Sequence, residues 1–144
     1  MNERSKIAQY TLDDIKPGLT QSFTVRVTEA MINEFARLTG DYSPIHMEQE
    51  YARTTNFGHR ISHGMLLGAF FSRLIGMHLP GKNALLLSYS LRHLLPCFPN
   101  QEIIVEGRVL DKSSATRVIT IKAAIRDSLG KVLVDGIIKV LVRK

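Results

Sequence analysis

Asp41 and His46 stand five positions apart in the stretch Gly40-Asp41-Tyr42-Ser43-Pro44-Ile45-His46, with a proline between them. A carboxylate and an imidazole brought to one point can bind a single water, with one group taking its proton and another protonating the product. A positioned acid or base of this kind is typically worth about 10² to 10⁴ in rate. On a continuous α-helix the two side chains would lie roughly 140° apart, on different faces. Pro44 disfavours helical geometry at Ser43, and Gly40 suits the end of a preceding helix, so the segment can curl and bring the pair together. The same spacing also fits a plainer arrangement, in which Asp41 decorates a helix end and His46 caps the next turn.

A second constellation is His63-Gly64-Met65, at the start of an apolar helix. The first N–H groups of a helix lack internal partners and carry partial positive charge, so they can stabilise a negative oxygen. Gly64 would let a thioester carbonyl approach closely. A preorganised donor of that kind is worth about 3 to 4 kcal/mol where single donors have been removed from other enzymes. Glycine there serves helix packing equally well.

Other reactive side chains offer less. An Asp–His pair has too few ligands for a closed metal site, and the spacing of His59 and His63 matches no metal-binding pattern. Ser72 lies in no strained nucleophile turn, and inside a helix its hydroxyl commonly bonds the carbonyl one turn back. Cys97, in Leu-Pro-Cys-Phe-Pro, reads as a packed small residue. His78 and His93 read as surface or satisfied core histidines.

The elements that must position these residues follow from periodicity. Residues 1–20 form a leader of turns, broken at Pro17-Gly18. Phe23, Val25 and Val27 alternate with polar partners as a short strand. Thr28 is a plausible N-cap for a helix of about eleven residues carrying Ile32, Phe35 and Ala36, which Gly40 would end. Residues 41–47 read as a loop, and residues 48–54 as a helical turn or two. Ser62 is a cap candidate for the helix over residues 64–78. That helix is apolar all round, predicting burial on most sides until Pro80-Gly81 stops it. Gly64, Gly68, Ser72 and Gly76 recur every four residues on it as a narrow stripe, which something must approach: a neighbouring sheet or helix, or the thin apolar chain of a ligand. Residues 85–91, 103–110, 117–126 and 131–142 are rich in β-branched side chains, with turn signals at residues 111–114 and 127–130. Parallel crossovers need a dozen or more residues, so these strands form an antiparallel meander and the fold class is α+β, a curved sheet wrapped around the helix at 64–78.

Composition agrees with one folded domain over residues 1–144. Hydrophobic residues make up 44% and charged residues 22% of the 144, which is ordinary globular usage. The single cysteine excludes an internal disulfide and multi-cysteine metal centres, and favours a reducing compartment. No secretory signal is visible, and the longest apolar run is broken by Arg73 and falls short of the roughly 18 residues of a membrane span. Cytoplasm is the expected location. A net charge of +6 favours a polyanion. Scattered basic residues and the absence of an aromatic-glycine base-stacking signature argue against nucleic acid. A phosphate-rich small molecule such as coenzyme A would use the same charge.

Taken together, Phe35-Ala36-Arg37-Leu38-Thr39-Gly40-Asp41-Tyr42-Ser43-Pro44-Ile45-His46, Ala52, Phe57-Gly58 and Ile61-Ser62-His63-Gly64-Met65 resemble the MaoC-like, or hydratase 2, family of (R)-specific enoyl-CoA hydratases. The resemblance runs through the helix to Pro96 and loosely to the C-terminus. It implies a hot dog fold, with the helix as filling and the antiparallel sheet as wrap, usually dimerised through the sheets. It implies that Asp41 and His46 form the catalytic pair for syn addition of water to a trans-2-enoyl-CoA of short to medium chain, giving (R)-3-hydroxyacyl-CoA. Gly64 would then be the thioester carbonyl donor and Ser72 a helper of the active site, with Met65 and His63 beside them on the substrate-binding side. No metal or redox cofactor is implied; coenzyme A, or acyl carrier protein, arrives as the handle of the substrate. Ser43 stands where the family usually has Asn, Pro96 to Gln101 replaces a commoner ending in Gly-Asp, and His93 replaces an apolar residue. Two other functions fit the same fold: an acyl-CoA thioesterase and a non-catalytic acyl-CoA binding module. Residues 64–78 carry no Asp or Glu, which speaks against the thioesterase, and retention of both Asp41 and His46 speaks against the module.

Overall fold

A computed structural model describes residues 6–144. The first five residues of the expected leader lie outside the described residues.

Strand β1 (Thr20–Val27) alternates exposed and half-buried positions, placing Phe23 and Val25 against the core. Thr28 then caps helix α1 (Glu29–Thr39), its hydroxyl accepting from the Met31 N–H at 3.2 Å. Helix α1 buries Ile32 and Ala36 and ends at Gly40, whose φ of 80° lets its N–H return to the Ala36 carbonyl at 2.8 Å. Only glycine adopts that left-handed conformation without a side-chain penalty.

The expected loop at residues 41–47 is partly helical. Ser43 is extended, as the following proline requires, but Pro44 opens a short helix α2 (Pro44–Met47). Proline has no N–H to lose at the first helical position and arrives with its φ already set, so it starts a helix as readily as it breaks one. Helix α3 (Gln49–Arg53) follows, with Ala52 buried.

Helix α4 (Gly64–Arg73) continues without a break into a π-helical turn at Leu74–His78 and stops before Pro80-Gly81. Its cap residue is His63 and not Ser62, whose hydroxyl instead donates to the His63 carbonyl. Burial on most sides does not hold either: Leu66, Leu67, Phe71, Leu74 and Ile75 face the core, whereas Met65, Ala69, Ser72 and Arg73 are exposed. The sheet covers only one side of the helix.

Strands β2 (Ala84–His93), β3 (Gln101–Ser113), β4 (Val118–Asp127) and β5 (Val132–Val142) complete one five-stranded antiparallel sheet of order β1-β3-β4-β5-β2. Strands β3, β4 and β5 form a meander as expected, but β2 does not open it beside β3: it pairs with β5, at the edge opposite β1, because the segment after β2 carries the chain across to β1's neighbour. The segment joining those edges contains α1 to α4, so α4 is laid against the sheet, its Leu67, Phe71 and Leu74 sharing one core with Val105, Ile121 and Ile138. This is the α+β, helix-on-antiparallel-sheet architecture of the hot dog fold. Strand β2 leaves Leu85, Leu86, Leu87 and Tyr89 exposed along its free edge. Among the described residues, no helix is long and apolar enough to cross a membrane.

Candidate active site

The curl between Gly40 and Pro44 is held by short polar bonds. The Asp41 carboxylate accepts the Ser43 N–H on Oδ1 at 3.1 Å, and the Asp41 N–H donates to the Thr39 hydroxyl at 3.3 Å. Asp41 is exposed and stands outside the cavity walls. His46, on α2, is half-buried, and its Nδ1–H donates to the Ile61 carbonyl at 2.9 Å, leaving Nε2 as the free ring nitrogen.

Residues 60–63 act as a clamp on this loop. Ile61 returns its N–H to the Ile45 carbonyl at 3.2 Å, so it holds α2 through both its backbone groups. Arg60 donates through Nε to the His46 carbonyl at 2.6 Å and through a terminal nitrogen to Asn33 Oδ1 at 3.0 Å, tying α2 to α1. The Ser62 N–H bonds the Cys97 carbonyl at 2.7 Å, anchoring the clamp to the segment after β2.

His63 is buried, at 1% exposure. Its Nε2–H donates to the Asp41 carbonyl oxygen at 2.9 Å, its ring stacks 4.1 Å from that of His46, and Phe35 packs against it at 5.0 Å. It lines neither cavity described below. His63 is thus packed against His46 and the backbone of Asp41 rather than exposed at either cavity.

One oxygen of Asp41 and one ring nitrogen each of His46 and His63 lie within 4.8 Å of one another. Within that bound, a carboxylate oxygen and a ring nitrogen that stand beyond direct hydrogen-bond reach can share one water, since each hydrogen bond spans about 2.7 to 2.9 Å. The same cluster suits a metal ion poorly. Nitrogen–zinc bonds of about 2.0 Å require the donors to converge, yet the two imidazoles are stacked at only 30° to each other and His63 Nε2 is already bound to the backbone.

Two cavities flank the start of α4. The first, of about 300 Å³, is almost wholly apolar and includes Met65, Gly68, Ser72, Ile75 and Leu91 in its wall. The second, of about 290 Å³, is bounded by His46, Ile61, Gly64, Leu95 and Cys97. Gly64 begins α4, so its N–H has no acceptor within the helix and is available at the second cavity. The small-residue stripe is approached by β2: a side chain at Gly64 would meet the His93 ring at 3.3 Å, and one at Gly68 would meet Leu91 at 3.4 Å.

Three contributors escaped the sequence reading. Ile61 works through its backbone, which residue type cannot signal. Arg60 carried no pattern that set it apart from other surface arginines. His93 lies beyond the expected end of its strand, but it shares the alternation of Tyr89 and Leu91, and that period could have placed it on the face toward the glycines.

The MaoC like domain matches residues 13–128 of the chain. The chain belongs to the MaoC-like family. This MaoC-like protein is 35% identical over 134 residues to an (R)-specific enoyl-CoA hydratase of Rhodospirillum rubrum, covering 90% of each chain. It is 34% identical over 122 residues to the (R)-specific enoyl-CoA hydratase of Aeromonas caviae, covering 85% of this chain and 91% of the relative. An (R)-hydratase of Pseudomonas aeruginosa, solved in the unliganded form, superposes with a TM-score of 0.91 at 30% identity, covering 96% of this chain and 88% of that one.

Proposed function

We propose that this MaoC-like protein is, as one domain, an (R)-specific enoyl-CoA hydratase that adds water to a short- to medium-chain trans-2-enoyl thioester. The observation that carries the reading is a loop carboxylate and an imidazole with ligating atoms within 4.8 Å of each other, the imidazole oriented through Nδ1 by the Ile61 carbonyl. Similarity to (R)-specific hydratases over most of the chain supports the same reaction class.

In this mechanism a water donates one hydrogen to Asp41 and one to His46 Nε2, which leaves an oxygen lone pair for C3 of the enoyl group. As that O–C3 bond forms, the proton passes to the Asp41–His46 pair and the double-bond electrons move toward the thioester, whose oxygen takes up negative charge at the Gly64 N–H. Return of the proton to C2 from the same side completes a syn addition. Water is added in full, with no net oxidation or reduction, so the step draws on no redox cofactor.

The carrier of the acyl group is a coenzyme A or acyl carrier protein thioester, and the net charge of +6 favours either phosphate-bearing handle. The apolar free edge of β2 and the open side of α4 support a homodimer. The free, buried Cys97 is in keeping with action in the reducing cytoplasm.

The test is loss of the enoyl-thioester absorbance of crotonyl-CoA with wild type and Asp41→Asn, followed by chiral analysis of the product. An (R)-3-hydroxy product formed by wild type and slowed at least a hundredfold in the variant is expected. Binding of acyl-CoA without turnover would favour the non-catalytic module, and release of free thiol would favour the thioesterase.

A further inference from the structure

His93 is the residue common to the two cavities. Its ring carbon Cε1 and nitrogen Nδ1 each lie 3.3 Å from the point where a Cβ on Gly64 would stand, so the imidazole is seated against the first turn of α4. The backbone on either side is pinned. Arg92 makes two bonds of 3.1 Å to the carboxylate of Asp135 across the sheet, and the Leu94 N–H bonds the Leu133 carbonyl at 2.8 Å. These contacts hold the strand that carries the ring; the ring is exposed on its outer side, and the helix backbone blocks its retreat on the other.

The proposed reaction is centred on His46 and Gly64, in the second cavity, whereas the larger apolar wall belongs to the first. A chain joined to the reacting carbons must therefore pass His93 before it reaches Leu91 and Ser72. We propose that His93 forms the neck between the reaction cavity and the acyl cavity, and that the bulk of its ring excludes acyl chains branched next to the reacting carbons. This inference rests on the proposed hydratase reading. Its basis is steric: an unbranched methylene chain is narrow enough to pass a flat ring, and an added methyl at the same depth is not. One methylene more or less in an apolar pocket typically changes selectivity by about ten- to two-hundredfold.

The test compares two substrates of equal carbon number, trans-2-hexenoyl-CoA and trans-4-methylpent-2-enoyl-CoA, on wild type, His93→Ala and His93→Phe. His93→Ala is expected to raise the branched-to-straight ratio of kcat/KM by about tenfold or more, while His93→Phe, which keeps a flat ring and loses the nitrogens, keeps the wild-type ratio. An unchanged ratio in His93→Ala would overturn the proposal, as would an equal shift in His93→Phe. Calorimetric binding of hexanoyl-CoA and 4-methylpentanoyl-CoA gives the same ratio without turnover. Binding that widens only in His93→Ala, in a protein that does not hydrate, would sustain the neck and defeat the hydratase reading. No binding of either thioester would overturn both.

Discussion

The Nε2–H of His63 donates to the backbone carbonyl of Asp41 at 2.9 Å, while the same ring lies stacked 4.1 Å from His46. One buried side chain thus sets the position of both halves of the proposed catalytic pair. Its Nδ1 is buried with no partner among the described residues, a cost of about 1 to 3 kcal/mol that folding alone gives no reason to retain. His63→Leu should therefore fold at least as well as wild type, yet lose on the order of 10² in kcat as the loop drifts, with KM little changed. His63→Gln, whose amide can reach the same carbonyl, should recover part of the loss. Equal kcat in wild type and His63→Leu would remove the positioning role.

Ser72 lies in the wall of the first cavity, one helical turn beyond Gly68. Its hydroxyl is remote in sequence from the Asp41 loop, and in the proposed reading it serves the shape and polarity of the acyl site. Ser72→Ala should accordingly have a smaller effect than Asp41→Asn, about three- to tenfold in kcat/KM for crotonyl-CoA, as expected for one neutral hydrogen bond. A change in kcat/KM below measurement error would return Ser72 to a packing role.

The parts legible in the sequence were those governed by local rules. Thr28 and Gly40 bracket α1 as capping chemistry predicts, and alternation through Ile119, Ile121, Ala123 and Ile125 marks β4 as a half-buried strand. The curl at Asp41 was legible because Gly40 and Pro44 each constrain the backbone. What local rules could not supply was the partner side of each contact. The Ile61 carbonyl that orients His46, the carbonyl of Asp41 that receives His63, and the strand that covers Gly64 all depend on distant segments meeting. The burial of His63 is likewise a tertiary property that no motif carries: Phe35 and His46 enclose it only once α1 and α2 are in place. The exposed side of α4 was misread for a similar reason. Apolar residues all round a helix report how much surface requires cover, not that the same chain supplies it.

Gly136 pairs with Leu91 where β5 meets β2, and a Cβ there would come within 2.0 Å of the Ser90 carbonyl oxygen. That neighbour is backbone and cannot rotate aside. Gly136→Ala must then part the two strands locally, at a cost of roughly 1 to 3 kcal/mol or more. For a domain of this size, that corresponds to a fall in Tm of several degrees by calorimetry. Because β2 carries His93 two residues further on, the branched-to-straight selectivity should move as well. An unchanged Tm would overturn the claim that the Ser90 carbonyl excludes a side chain at Gly136.

Cys97 gives a pH dependence whose sign follows from burial. Its thiol is buried, and desolvation pushes its pKa from an ordinary 9.0 up to about 11. A folded-state value above the unfolded one means that the fold favours the protonated thiol, because the unfolded chain can ionise where the native state cannot. That stability is present in full below about pH 9 and is lost as pH rises toward 11. Wild type should thus lose more stability than Cys97→Ala between these limits, measured by urea denaturation at matched pH values. Thiol-reactive probes should label the native protein slowly at pH 8, because thiolate is scarce and access is closed, and rapidly once it is unfolded. Parallel stability curves for the two proteins from pH 9 to pH 11, or fast labelling of the native state, would contradict a desolvated thiol. Cys97 also accepts the Ser62 N–H through its backbone, so the alanine variant, which keeps that carbonyl, isolates the thiol from the clamp that holds the loop of Asp41 and His46.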